Sequence, residues 1–294
     1  MKNVSLVVSC GGARGVSAIG VIEELEKRGY NISSVSGTSI GSAVLGIYAL
    51  GNIKQYKEWL CSLNRLDVLR LMDFTISKHG LIKGEKVFDA MIDFLPNEKI
   101  ENLNIPYSAI AAEVNSFKEI VFNKGSLHHA IRCSTSIPSI MMPVVLNDQV
   151  FVDGGVVNPL PLSRVKRKKG DILVAVDLNY HSNKEKPLKE YKYSLDFPII
   201  GSMMKYFGRS NKKQNVDNLV GFLNKTIYIM INQLTKNSIE LHKPDILIQI
   251  PSKTCGIFDF QKSKELIELG RKEAIKKINN FEKKKPHHSW GFFV

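Results

Sequence analysis

Residues 32–50 join a strand-like segment to a helix-like one through Gly37-Thr38-Ser39-Ile40-Gly41. The segment before this pentapeptide is apolar-leaning, and residues 40–50 after it are almost wholly apolar. A chain that turns so sharply from strand to helix needs glycine where one stretch of backbone passes close to another. The turn exposes the serine hydroxyl and places it at a helix N-terminus, where free amides and the helix dipole favour negative charge. That is the local geometry of a nucleophile elbow, with Ser39 as nucleophile and Gly37 and Gly41 as its support. The same five residues also suit an ordinary turn, so the rest of the chain has to decide.

Strand and helix patterns alternate along most of the sequence. Residues 4–9, 32–37, 107–113, 119–122, 150–152, 172–178 and 245–250 read as strands. Residues 14–28, 40–50, 55–64, 84–94, 127–134 and 261–281 read as helices, several of them stopped by glycine or proline. The run at 172–178 has the pattern of a strand covered on both faces. Such alternation predicts an α/β fold of three layers, α/β/α, around a mainly parallel central sheet. The 294 residues allow one large domain or two small ones. Residues 1–282 are expected to form a single hydrolytic α/β domain. A change of character at about 181–240, rich in Lys, Asn, Met and Tyr, reads as a basic, partly helical insertion or cap. Residues 283–294 read as a flexible basic and aromatic tail.

Composition excludes several classes. The four cysteines, Cys10, Cys61, Cys133 and Cys255, are widely spaced with no C-x-x-C pair, which argues against a disulfide framework and a zinc site and suits a reducing compartment. The first apolar run is too short for a signal peptide, and no stretch of 18 apolar residues is available for a membrane-spanning helix. A cytoplasmic protein, with peripheral membrane contact, is therefore expected. The net charge of +13 gathers at 164–169, 184–192, 205–213 and 283–285. These clusters suit an anionic lipid surface, nucleic acid or plain solvated surface. No RRM signature or zinc finger accompanies them, which makes nucleic acid an unfavoured partner.

A serine nucleophile needs a cradle for the oxyanion and a proton acceptor. Cys10-Gly11-Gly12-Ala13-Arg14-Gly15 follows the first strand and opens the first helix. Small residues there leave successive N–H groups free to face an anion. A dinucleotide fingerprint fits the segment poorly, because Cys10 replaces its first glycine and the second strand ends in Ser36-Gly37 rather than an acid. For the base, His79, His128 and His129 read as surface or helix residues, and His287 and His288 fall in the tail. His242 lies in a helix-to-strand connection. Asp153 is better placed: it ends a strand, is followed by Gly154 and Gly155, and has apolar neighbours Phe151, Val156 and Val157. An Asp-Gly-Gly sequence also suits a simple β-turn.

Taken together, the CGGARG loop, the Ser39 pentapeptide and Asp153-Gly154-Gly155 resemble the glycine-rich, nucleophile-elbow and D-G-[AG] motifs of the patatin-like phospholipase family, in order and spacing. The likeness extends through Arg132-Cys133-Ser134-Thr135-Ser136-Ile137-Pro138, Val156-Val157-Asn158-Pro159-Leu160-Pro161 and Phe258-Asp259-Phe260, and is nearest to compact bacterial members. Cys10 stands where the family usually has glycine. The resemblance implies a patatin-like fold and a Ser–Asp dyad without histidine. In it Asp153 takes the Ser39 proton during attack on an acyl ester, and an acyl-enzyme forms. It also implies an oxyanion hole of backbone N–H groups from Gly11, Gly12, Ala13 and Arg14, supported by Gly15, with no metal and no cofactor. Arg14 either orients the loop through its carbonyls or meets a phosphate head group. The implied substrates are phospholipids, lysophospholipids or smaller carboxylic esters. Met203, Met204, Tyr206 and Phe207 among lysines would then help dock the protein on anionic lipid. Two alternatives stay open: a Ser-His-Asp esterase using His242, and a non-catalytic lipid- or nucleic-acid-binding protein. Oligomeric state is not readable from the sequence.

Overall fold

The computed structural model describes residues 2–75, 80–181 and 219–284. Most of the expected cap, the basic clusters at 184–192 and 205–213, Met203, Met204, Tyr206 and Phe207, His79, and residues 285–294 with His287 and His288 lie outside the described residues. The strands are β1 (Lys2–Val8), β2 (Tyr30–Thr38), β3 (Tyr107–Glu113), β4 (Lys118–Phe122), β5 (Val144–Leu146), β6 (Gln149–Asp153), β7 (Ile172–Tyr180) and β8 (Ile246–Pro251). The helices are α1 (Ser17–Lys27), α2 (Ile40–Leu50), α3 (Ile53–Ser62), α4 (Arg65–Leu71), α5 (Glu85–Asp89), α6 (Leu127–Ser134), α7 (Leu219–His242) and α8 (Ser263–Lys284).

One sheet runs in the order β5-β6-β3-β2-β1-β7-β8, with β4 beside β3. From β3 to β8 every neighbouring pair is parallel, and β4, β5 and β6 are antiparallel additions at one side. The alternation of the sequence explains this directly, since each parallel pairing needs a crossover that helices supply.

One sheet face buries Val4, Leu6 and Val8 of β1 and Ile246, Ile248 and Ile250 of β8 in a single core with Ile19 and Ile22 of α1 and Leu266 and Ile267 of α8. Each fully buried side chain of this size contributes about 1.5–3 kcal/mol. α1 and α8 approach backbone to backbone. A Cβ on Gly20 would collide with the Ile267 carbonyl, and one on Gly270 with that of Ser17. The opposite face buries Val7, Leu173 and Ala175 beneath Leu160, Leu162, Val165 and Ile239 of α7. Helices therefore lie on both faces of the sheet, as the sequence predicts.

The pattern at 84–94 is helical only as α5. Beyond Asp89 the chain continues as turns, with the N–H groups of Phe94 and Leu95 both donating to the Met91 carbonyl. The apolar spacing there buries Met91, Phe94 and Leu95 without an α-helical ladder.

Candidate active site

Sheet topology brings the two distant motifs together. β4 pairs with Ala109 to Glu113 and so occupies one edge of β3. The other edge is shared. β2 pairs there as far as Thr38 against Ile110, and β6 takes over with Asp153 against Ala111. β2 runs parallel to β3 and β6 antiparallel, so their C-termini meet head to head on neighbouring positions. Ser39 follows Thr38 directly.

Ser39 has φ 57° and ψ −129°, a conformation that costs a residue with a Cβ about 1–3 kcal/mol. The surroundings hold it there. Its N–H donates to Ser134 Oγ at 2.9 Å, and Ser134 donates onward to the Ile110 carbonyl at 2.6 Å. Its carbonyl accepts from the N–H and the hydroxyl of Ser42 in the first turn of α2. Thr38 donates to the Asn158 carbonyl at 2.8 Å. Glycine is required on both sides: a Cβ on Gly37 would strike the Gly41 backbone, and one on Gly41 the Val8 carbonyl.

Asp153 is 5% exposed. Its carboxylate accepts the Gly155 N–H at 2.7 Å, and the Ser39 hydroxyl faces it. Burial pushes the carboxyl up to about 6, and Ser39 and the Gly155 N–H only partly oppose it. Burial also pushes the neighbouring Cys10 thiol up, with Asp153 adding to the effect, so Cys10 stays a neutral thiol beside the carboxylate.

The glycine-rich loop lies between these groups and the end of β7. The Cys10 carbonyl accepts from Asn179 Nδ2 at 2.7 Å and Ser9 Oγ at 2.9 Å. Because the peptide is trans and planar, this aims the Gly11 N–H the opposite way. Gly12 has φ 56° and touches the pocket that contains Ser39. Among the described residues no acceptor meets the N–H of Gly11 or Gly12. Ala13 differs from the expectation, because its N–H donates to the Ile257 carbonyl at 2.9 Å and is not free to receive an oxyanion. The Arg14 guanidinium is buried and donates to the carbonyls of Leu178 and Cys255 and to Asn179 Oδ1. These acceptors lie outside the glycine-rich loop, so the bonds anchor the loop to the end of β7 and to Cys255 rather than holding the loop's own carbonyls. Gly15 packs its bare Cα against Ile40, and Gly154 its own against the Ile110 carbonyl. The sequence reading missed Ser134 and Asn179 as members of the site. Ser134 stood in the quoted RCSTSIP run but carried no periodic signal of its own, and Asn179 is one polar residue at a strand end.

An apolar pocket of about 150 Å³ opens from Ser39 and Gly12. Its walls come from α3, α4 and α5 (Trp59, Leu60, Val68, Leu71, Val87 and Phe88) and from Met72, Met141, Ile257 and Phe260. Among the described residues, no histidine lines it. His242 ends α7 just before β8 begins, at the N-terminal end of the parallel strands, whereas Ser39 follows the C-terminal end of β2. His129 instead meets Cys133 Sγ at 3.3 Å, and His128 lies edge-on to Phe88. Among the described residues, no three His, Cys, Asp or Glu side chains are grouped to hold a metal ion, and no helix is long and apolar enough to cross a membrane.

The chain is 28% identical over 333 residues to an uncharacterized NTE family protein of Mycobacterium tuberculosis, covering 95% of this chain and 92% of that protein. It is 26% identical over 292 residues to lysophospholipase NTE1 of Debaryomyces hansenii, covering 96% of this chain and 18% of that protein. Among solved structures, VipD from Legionella pneumophila matches with a TM-score of 0.47 at 12% identity, over 96% of this chain and 67% of that one. The family model for patatin-like phospholipase matches residues 6–165, a span that includes the glycine-rich loop, Ser39, Ser134 and Asp153. The chain belongs to the patatin-like phospholipase family.

Proposed function

We propose that the protein hydrolyses lipid acyl esters through a Ser39–Asp153 dyad, in the manner of a lysophospholipase or phospholipase A. One observation carries the reading: a strained serine at a helix start faces a buried carboxylate beside two free backbone N–H groups and an apolar pocket. In this reading Asp153 accepts the Ser39 proton as Oγ attacks the ester carbonyl. The N–H groups of Gly11 and Gly12 hold the oxyanion, each worth about 3–4 kcal/mol in such a site. Collapse of the tetrahedral intermediate breaks the ester C–O bond. Asp153 returns its proton to the leaving alkoxide, and the acyl group stays on Ser39. Water, deprotonated by Asp153, then attacks the acyl-enzyme; the Ser39 Oγ–acyl bond breaks, Asp153 returns the proton to Oγ, and a fatty acid and the free serine result. The acyl chain occupies the apolar pocket, and the head group lies outside it. The name of the Debaryomyces relative favours a lysophospholipid among the lipid esters. Membrane contact through the basic surface, including the segment outside the described residues, belongs to the same proposal, as does one hydrolytic domain carrying a cap.

A panel of lysophospholipid, diacyl phospholipid and p-nitrophenyl esters tests this with wild type, Ser39→Ala and Asp153→Asn. The expected result is turnover by wild type, loss in both variants, and a fluorophosphonate label only where Ser39 is intact. Turnover that survives Ser39→Ala would falsify the assignment.

A further inference from the structure

Two hairpins stand beside the site. Residues 114–117 join β3 to β4, and Asn147-Asp148 join β5 to β6 in a turn with φ 49° and 61°. Their tips are tied together. The Val114 N–H donates to the Val150 carbonyl at 2.8 Å, and Asn115 Nδ2 donates to the Asp148 carbonyl at 3.5 Å. The Glu113 carboxylate accepts N–H groups from Asn115, Ser116 and Val150.

This bonded platform carries apolar side chains that the fold does not use. Phe117 is 90% exposed, Val145 67%, Leu146 43% and Val114 42%. Phe117 also has φ 57°, a conformation that favours glycine or asparagine and penalises an aromatic residue. Neither strain nor exposure benefits the folded chain, so their combination at one residue points outward, to a surface that the tip enters.

We propose that these paired tips insert into a lipid bilayer and hold the mouth of the pocket at its surface. The proposal rests on the lipid-hydrolase reading for its occupant. Position supports it: β3 continues two residues past Ala111, the partner of Asp153, before the loop begins. At ~3.4 Å per residue the tips therefore stand about 7 Å or more beyond the dyad, at the end of the sheet where Gly11 and Ser39 also lie. Met141 of the pocket wall and Val145 of the patch are four residues apart along the chain. Charge is balanced. Lys118 and Asp148 are exposed at the tips, and Glu113 is turned into its own loop. Insertion should therefore be apolar in origin and little affected by salt, unlike attraction of the basic clusters to anionic lipid.

The test is sedimentation of the full chain with phosphatidylcholine vesicles at low and high salt, for wild type, Phe117→Asp and Phe117→Trp, alongside turnover of a soluble p-nitrophenyl ester. Phe117→Asp is expected to weaken vesicle binding about tenfold or more at both salts, Phe117→Trp to retain it, and soluble-ester turnover to stay unchanged in both. Wild-type binding by Phe117→Asp overturns the proposal. So does lipid-free self-association that Phe117→Asp abolishes, which would make a second copy the occupant. Vesicle binding through Phe117 by a wild type that turns over no ester would break the hydrolase reading and leave the docking intact.

Discussion

The two halves of the site are built by different means. The polar half places Gly11, Gly12, Ser39 and Asp153 at the ends of sheet strands and the helix starts that follow them, and Ser134 at the close of α6. Its groups are fixed by hydrogen bonds that cross between strands, such as Ser39 to Ser134 to Ile110 and Cys10 to Asn179 to Arg14. The apolar half is walled by the short helices α4 and α5 and by irregular segments carrying Met72, Met141, Ile257 and Phe260. Those walls are pinned at their ends, by the Asn64–Asp67 capping box of α4 and by the Asp73 carboxylate that accepts N–H groups from Gly84 and Glu85 at the start of α5, while the surfaces facing the pocket are apolar side chains, and methionine adapts its shape readily. On the proposed mechanism, precision lies where charge would move, and tolerance where a chain of methylenes would be accommodated. The polar half should therefore fail steeply on substitution, and the apolar half gradually.

The sharpest way to break that contrast is to remove the dyad. Ser39→Ala is expected to lower kcat by 10³-fold or more, and Asp153→Asn by a comparable factor, in steady-state ester hydrolysis. Retention of a tenth of the wild-type rate by either variant would move the chemistry elsewhere. The same carboxylate predicts the pH profile. With the Asp153 carboxyl raised to about 6, kcat/KM should rise with pH and reach half its plateau near pH 6, well above the ordinary aspartate range.

Stability has the opposite sign. A raised carboxyl pKa means that the folded state favours the protonated form. That contribution is complete below the unfolded pKa near 4 and is lost as pH rises through 6. Asp153→Asn carries no charge to desolvate, so its stability relative to wild type should improve from pH 4 to pH 7. The improvement should reach about 3 kcal/mol at most by denaturant titration. A difference independent of pH would mean that Asp153 is not buried as described.

Positioning groups come next. Ser134→Ala leaves the buried Ser39 N–H without its acceptor and Ile110 without one of its donors, at a cost of about 1–3 kcal/mol. Asn179→Ala releases the Cys10 carbonyl that aims the Gly11 amide. Both are expected to lower kcat by roughly 10–100-fold with KM nearly unchanged, because the bonds they support matter most in the transition state. A rise in KM at constant kcat would instead place these residues in substrate binding.

The polar half was largely legible in the sequence because its geometry is local. A glycine two residues either side of Ser39 and a glycine run after β1 are demanded by close contacts that leave no room for a Cβ, with backbone at Gly12, Gly37 and Gly41 and with side chains at Gly11 and Gly15. β7 and α2 follow from nearly unbroken apolar runs and α6 from apolar residues at helical spacing, and all three were readable to within a few residues. The apolar half was not. α4 went unread because its evident signal is a capping box between Asn64 and Asp67, with only Val68 buried on its inner side. β5 is three residues behind a proline, too short for period two to show. Nor did spacing reveal that the Ala13 N–H is taken by Ile257, a residue more than 240 positions away. Contacts made by loops distant in sequence leave no periodic trace, so the parts of the site made of loops had to come from the fold.

The gentlest effects are expected at the pocket wall, and they test tolerance directly. Leu71 and Val87 line the pocket from α4 and α5 and are only half buried, so changing them disturbs the core little. Leu71→Ala removes three carbons from the wall and should shift preference toward longer acyl esters, whereas Val87→Phe narrows the space and should shift it toward shorter ones. Each methylene accommodated or refused is worth about 1 kcal/mol, so selectivity between esters two carbons apart should change by about tenfold or less. Turnover of a short p-nitrophenyl ester, which does not reach these walls, should stay within about twofold of wild type in both variants. If Leu71→Ala instead lowered short-ester turnover as far as Ser134→Ala does, the walls would be part of the positioning machinery, and the division between a rigid polar half and an adaptable apolar half would be wrong.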